Sequence, residues 1–198
     1  MKIISILALT LSLSAFAEDK KSEGPIKEEM MKKMQEYSTP TETHKTLATM
    51  AGKWTYTSKW WMSAEAKPEE SKGTANMKMI LGGRYLQQEV KGTSMGKPFE
   101  GISITGYDNL KERVDTLWLD SMSTGMMRGT GSMDAETKTI TDSGEFTCPM
   151  EEDKTAEYRS EWKMVDKNNM TYSMFGKGMG IAAKEEFKMM EMTYKRAK

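Results

Sequence analysis

The chain is poor in the residues on which small exported domains and metal sites usually depend. It has one cysteine, Cys148, so an internal disulfide is excluded. It has one histidine, His44, so the two residues together cannot complete a tetrahedral zinc site. A haem barrel needs an axial histidine on a strand, and His44 precedes the strands. Charge of one sign is also lacking, because 29 basic residues balance 29 acidic ones. Phosphate binding draws on a basic surplus, so nucleic acid is not an expected partner. Docking on an anionic membrane is disfavoured for the same reason. No stretch after residue 17 reaches the ~20 apolar residues of a transmembrane helix.

Branched aliphatics are scarce as well. Beyond residue 17 there are 6 Leu, 6 Ile and 3 Val against 20 Met. Methionine is flexible and polarizable, so it fills irregular cores and lines adaptable binding surfaces.

What is present begins with a secretory pattern. Lys2 supplies the basic start, Ile3 to Leu13 the apolar stretch, and Ala15-Phe16-Ala17 the small-x-small cleavage site. The expectation is a signal peptide over 1–17, a chain of 181 residues starting at Glu18, and a periplasmic or secreted location. No cysteine follows that cleavage point, so a lipid anchor there is not expected. Residues 18–38 read as a charged, partly helical arm, with Met30, Met31 and Met34 on one side of a helix from Pro25 to Tyr37. Residues 39–198 read as one domain. Its lead-in is a second helix. Thr39 is the expected N-cap, with Pro40 at the first position and Glu42 closing a capping box. Leu47 and Met50 would face the core, and Gly52 would stop the helix.

From Lys53 the apolar period becomes two, which is the period of a strand. Ten strands are expected, near 53–62, 72–80, 84–91, 99–107, 113–120, 125–133, 138–146, 155–166, 170–176 and 185–196. Turn residues separate them at Leu81-Gly82-Gly83, Asp108-Asn109, Asp134 to Lys138 and Lys167-Asn168-Asn169. Even spacing and short hairpins predict an all-β, antiparallel up-and-down barrel, since closure removes both exposed edges. Trp54, Tyr56, Trp60 and Met62 would share the inner face of the first strand. Ala156, Tyr158, Trp162 and Met164 would share that of the eighth.

In a meander the connections alternate between two ends. The turns named above fall at one end, which the lead-in helix would plug. Segments 63–71, 92–98, 121–125, 147–154 and 177–184 fall at the other. These carry Met95, Met122, Met150 and Met179, with Met62 and Met126 at adjoining strand ends. The candidate ligand site is this sulfur-ringed mouth, because barrel mouths commonly hold ligands. Polar residues on apolar faces, Gln88, Asp120 and Glu191, are candidate anchors inside it. Glu191 is read on one face with Phe187 and Met189. Arg84, Arg128 or Tyr107 could pair with a buried carboxylate there.

Several stretches carry a family resemblance. They are Ile80 to Glu89 (ILGGRYLQQE), Gly96 to Gly101 followed by Gly106 to Asn109, Trp118 to Gly125, and Met190 to Tyr194. Together these resemble the bacterial family called domain of unknown function 1579, over about residues 41–196. Gly52-Lys53-Trp54 on the first strand and Arg196 closing the last resemble the signature of lipocalin-like barrels. The resemblance implies a lipocalin-like fold. It brings no catalytic residues, because the family has no established activity. Cys148 stands where that family more often has an acidic residue.

Two motifs point elsewhere and fail on context. Gly92-Thr93-Ser94-Met95-Gly96 spells G-x-S-x-G, but it falls in a hairpin and lacks a nearby histidine. Gly176-Lys177-Gly178-Met179-Gly180 lacks the helix that a phosphate cradle requires. With no nucleophile–base pair visible, an enzyme is not expected, and no cofactor is implied. The leading expectation is a barrel that binds a small, mostly apolar molecule. A filled structural module of the envelope is the first alternative. The second is Cu(I) binding by Cys148 and Met150 with Met122, Met126 and Met179, since soft sulfur ligands suit that ion.

Overall fold

The computed structural model describes residues 23–148, 155–177 and 185–198. Two compact units divide between Glu36 and Tyr37. The first contains most of α1 (Glu23–Ser38), whose Met30, Met31 and Met34 are all exposed. Ion pairs at i, i+4 spacing, Lys33–Glu29 at 2.8 Å and Lys32–Glu36 at 3.9 Å, run along its surface.

The second unit is a short helix and ten strands. The helix is α2 (Glu42–Ala48). The strands are β1 (Gly52–Trp60), β2 (Glu69–Ile80), β3 (Tyr85–Ser94), β4 (Lys97–Asp108), β5 (Arg113–Asp120), β6 (Met127–Asp134), β7 (Thr139–Thr147), β8 (Thr155–Asp166), β9 (Asn169–Gly176) and β10 (Phe187–Arg196). Each pairs antiparallel with its sequence neighbours, and β1 pairs with β10, so the sheet is a closed barrel. All ten expected strands are present.

The cap of α2 is Thr41 rather than Thr39. The Asn109 side chain donates to the carbonyls of Tyr37 (3.1 Å) and Thr39 (2.9 Å). The Thr39 carbonyl is thus bonded to Asn109 rather than to an α2 amide, and the helix begins after Pro40. His44 takes the part that Glu42 was expected to play. Its Nδ1 accepts from the Thr41 amide at 3.0 Å. Leu47 and Met50 are buried among Trp54, Leu86 and Val114, so α2 seals one end of the barrel.

At the other end the structure shortens one connection. Residues 92–98 do not form a loop; β3 and β4 run on to Ser94 and Lys97. Only Met95 and Gly96 turn the chain, with φ of 50° and 73°, as a two-residue hairpin requires.

The alternation of faces holds along β1 and β8. Trp54 and Tyr56 are buried, Trp60 is half-buried, and Tyr158, Ser160 and Met164 are buried opposite exposed Glu157, Arg159 and Glu161. Met62 does not continue this face: β1 ends at Trp60 and Met62 is 53% exposed. The first and last strands are locked at the sealed end. Arg196 lies over the Trp54 ring at 4.1 Å and donates to the carbonyls of Ala51 (2.7 Å), Thr49 (3.0 Å) and Lys167 (2.7 Å). Gly52, at φ 137°, makes room for it, because a Cβ there would strike the guanidinium.

Candidate functional site

Burial of the inner face changes along the barrel axis. Toward the sealed end, Trp54, Met77, Leu86, Val114, Ile140 and Tyr194 are buried, with Tyr107, Met133 and Trp162 partly buried against them. Toward the mouth, the inward residues Trp60, Phe99, Trp118, Met127, Phe146 and Met190 are only half-buried. The β1–β4 wall carries small residues there. Ser58 and Ser71 bond each other at 2.9 Å, and Gly73, Gly92 and Gly101 leave room for large side chains. The Tyr56 hydroxyl rests against Gly73 and Gly92, and the Trp118 ring rests against Gly101. Phe99 stacks on Trp118 at 6.3 Å. The opposite wall is fuller: Tyr158, Met174 and Met189 form a second buried cluster.

The candidate residues of the rim lie where the connections predicted. Met62, Met95, Met122 and Met126 all sit on mouth-end connections and are 52–55% exposed. Met126 precedes β6 rather than belonging to it, and its sulfur lies 3.6 Å from an Arg128 nitrogen. Met150 and Met179 lie outside the described residues. Cys148, just beyond β7, is fully buried.

The polar candidates separate. Gln88 is buried and faces the Tyr194 hydroxyl at 3.4 Å, well below the mouth. Asp120 faces inward near the mouth. It accepts from the Trp118 indole N–H at 2.8 Å and the Met122 amide at 2.9 Å. Its partners are therefore not Arg84, Arg128 or Tyr107. Arg84 instead donates to the Leu81 carbonyl at 3.0 Å. Glu191 is on the opposite face from the one expected. The extra residue of a β-bulge between Lys188 and Met190 puts Met189 and Met190 both inward, which turns Glu191 out. There it pairs with Lys188 at 2.6 Å.

Sequence reasoning missed Asp142. It is 6% exposed, in the interior, on a face shared with Ile140, Gly144 and Phe146. Its Oδ2 accepts from Thr116 (2.8 Å) and Tyr158 (3.1 Å), and its Oδ1 accepts from Ser160. A carboxylate on an apolar period was the available signal. The three hydroxyls come from β5 and β8, so the network itself is visible only in the fold. Burial raises the Tyr158 and Tyr172 hydroxyls above their ordinary range, and the nearby Asp142 charge adds to it. Burial also raises Tyr194.

Two cavities lie outside the inner face. One of about 370 Å³ lies at the sealed end beside Tyr37, His44, Arg84, Tyr85, Tyr107 and Asp115. The other, about 320 Å³, lies at the mouth end beside Lys59, Trp61, Ala64, Phe187, Lys188 and Glu191. Glu191 thus belongs to an outer recess. Ser94 of the G-x-S-x-G stretch is at the mouth and His44 at the sealed end, so the two do not meet. Among the described residues no group of three or more His, Cys, Asp or Glu is placed to hold a metal ion. No described helix is long and apolar enough to cross a membrane.

The barrel is similar to known structures at low identity. The crystal structure of Rv2717c from M. tuberculosis aligns with 81% of this chain and 100% of its own, at TM-score 0.56 and 12% identity. That likeness shows the fold alone. A redesigned beta barrel, b11L5F_LGL, aligns with 77% of this chain and 96% of its own, at TM-score 0.42 and 12% identity. Comparison with curated proteins returns no match. The family described as "Protein of unknown function (DUF1579)" matches over residues 39–196, which spans the helix α2 and all ten strands, and the chain belongs to that family.

Proposed function

We propose that this protein is an exported barrel that binds a small, mostly apolar molecule through its mouth. One observation carries the reading: four inward aromatics near the mouth, Trp60, Phe99, Trp118 and Phe146, are only partly buried, while most of the core beside α2 is buried. Aromatic surface left half-wet inside a cup gains roughly 25 cal/mol for each Å² that a ligand covers. The exposed Met62, Met95, Met122 and Met126 supply an adaptable apolar rim around that opening. Export rests on the pattern of residues 1–17.

The reading is tested with N-phenylnaphthylamine, a neutral dye that brightens in apolar surroundings. Wild-type protein should enhance its emission saturably, and Trp60→Ala with Trp118→Ala should weaken the binding. Native mass spectrometry of protein purified from its own host should show a bound small mass. An unchanged dye spectrum together with a bare protein mass would end the proposal.

A filled, non-binding envelope module draws on the Tyr158, Met174 and Met189 cluster, which fills one wall. It predicts that bare mass. Copper(I) binding has less to draw on. Cys148 is fully buried, whereas Met122 and Met126 are more than half exposed. Failure to displace a competing Cu(I) chelator would remove it.

A further inference from the structure

We propose that the lumen selects by charge: it takes neutral or cationic apolar molecules and refuses apolar carboxylates of the same size, with Asp142 as the selecting group. This rests on the binding reading above and names the ligand class.

The described inner-face positions are unequal in sign. Asp120 and Asp142 both point inward, and Glu69, opposite Trp60, shares that register exposed at the mouth. Of the two basic residues in inward register, Lys97 lies exposed at the tip of the β3–β4 hairpin. The other, Arg196, is at the sealed end, where the Trp54 ring and three carbonyls already hold it. Among the described residues, neither forms an ion pair with Asp120 or Asp142.

Asp142 is the deepest of these carboxylates. Its Oδ2 lies against Gly129, where a Cβ would strike it. Three neutral hydroxyls, those of Thr116, Tyr158 and Ser160, donate to it. A carboxylate offers about four acceptor positions, so one is left for a further donor. The hydroxyls satisfy the oxygens as acceptors, but they do not cancel the charge. A second anion about 8 Å away, at an effective dielectric of about 20, is disfavoured by a factor on the order of thirty. An ammonium or hydroxyl head group meets the opposite sign and a spare acceptor. Long-range attraction cannot mimic this preference, because the net charge of the chain is zero.

Dodecanol, dodecylamine and dodecanoate share one tail and differ in the head group. Each is titrated against the N-phenylnaphthylamine complex of the full chain. The alcohol and the amine should displace the dye at concentrations roughly thirtyfold below the carboxylate. Asp142→Asn, folded by circular dichroism, should close most of that gap by improving dodecanoate. Tyr158→Phe frees an acceptor and should widen the gap in favour of the amine, which keeps the proposal testable if Asp142→Asn does not fold. Equal displacement by dodecanoate and dodecanol in the wild type would overturn selection while leaving binding intact. A gap that survives Asp142→Asn would overturn the assignment to Asp142. If the dye never binds, the binding reading itself falls and selection falls with it.

Discussion

The Arg196 guanidinium lies 4.1 Å above the Trp54 ring, and this contact joins the last strand of the barrel to the first. The same side chain holds the carbonyls of Thr49, Ala51 and Lys167, so it ties together the α2 exit, β1, β10 and the β8–β9 turn. Arg196→Ala should destabilise the protein by about 2 kcal/mol, from lost hydrogen bonds and the cation–π contact. Urea unfolding followed by tryptophan emission measures it. Arg196→Lys should recover less than half, because an ammonium cannot reproduce the planar fork. Full recovery by lysine would show that charge alone matters.

Gly129 packs directly beneath the Asp142 network. A methyl group there would meet Asp142, Tyr158 and Thr116 together. Gly129→Ala should cost roughly 2–3 kcal/mol through overpacking and a disturbed polar network. A melting curve unchanged from the wild type would mean that the network moves freely.

Three turns at the sealed end repeat one device. Asp108 accepts from the amides of Leu110 and Lys111, Asp134 from those of Glu136 and Thr137, and Asp166 from that of Asn168. These bonds lower all three carboxyls below the ordinary 3.8. A lowered folded value means that the unfolded chain binds protons first. Their stabilisation is therefore complete above 3.8 and is lost as pH falls below it. The triple variant Asp108→Asn, Asp134→Asn and Asp166→Asn keeps acceptors but does not titrate there. Its acid unfolding, followed by circular dichroism, should be flatter than that of the wild type. Superimposable acid transitions would refute this.

His44 gives a second pH dependence of the same sign. Burial lowers its pKa from 6.5 and nearby Arg84 adds to this, against a hydrogen bond to the Tyr107 backbone. The folded protein favours the neutral ring, so stability declines as pH falls from 6.5 toward the folded value. His44→Gln should keep the reciprocal cap, since Gln serves at that position, and should remove the decline below pH 6.5. A decline of equal slope in the variant would place its origin elsewhere.

The fold was legible because its punctuation is local. Leu81-Gly82-Gly83, Asp108-Asn109 and Asp134 mark turns whose chemistry needs no distant partner. Period-two runs such as Tyr158-Arg159-Ser160 then assign the faces. The site was less legible. One extra residue at Met189 reverses the parity of β10, and nothing around it announces a bulge, so Glu191 was placed on the wrong face. Asp142 was overlooked because its partners lie 16 to 26 residues away on other strands. The connection expected over 92–98 is cut to Met95-Gly96, a tightness the sequence hides because methionine is an unusual residue at φ 50°.

The seam between β1 and β10 also governs how the barrel is made. Thr55 bonds the carbonyl of Lys195, 140 positions along the chain. Every other strand pair joins sequence neighbours and can zip from its own turn. The closing pair alone must wait for the whole chain, and it meets the largest loop-closure entropy. Until then β1 and β10 are two open edges able to add strands from another copy. The hazard to this protein is therefore concentrated in time, in the interval between completing β9 and docking Tyr194 against Tyr56.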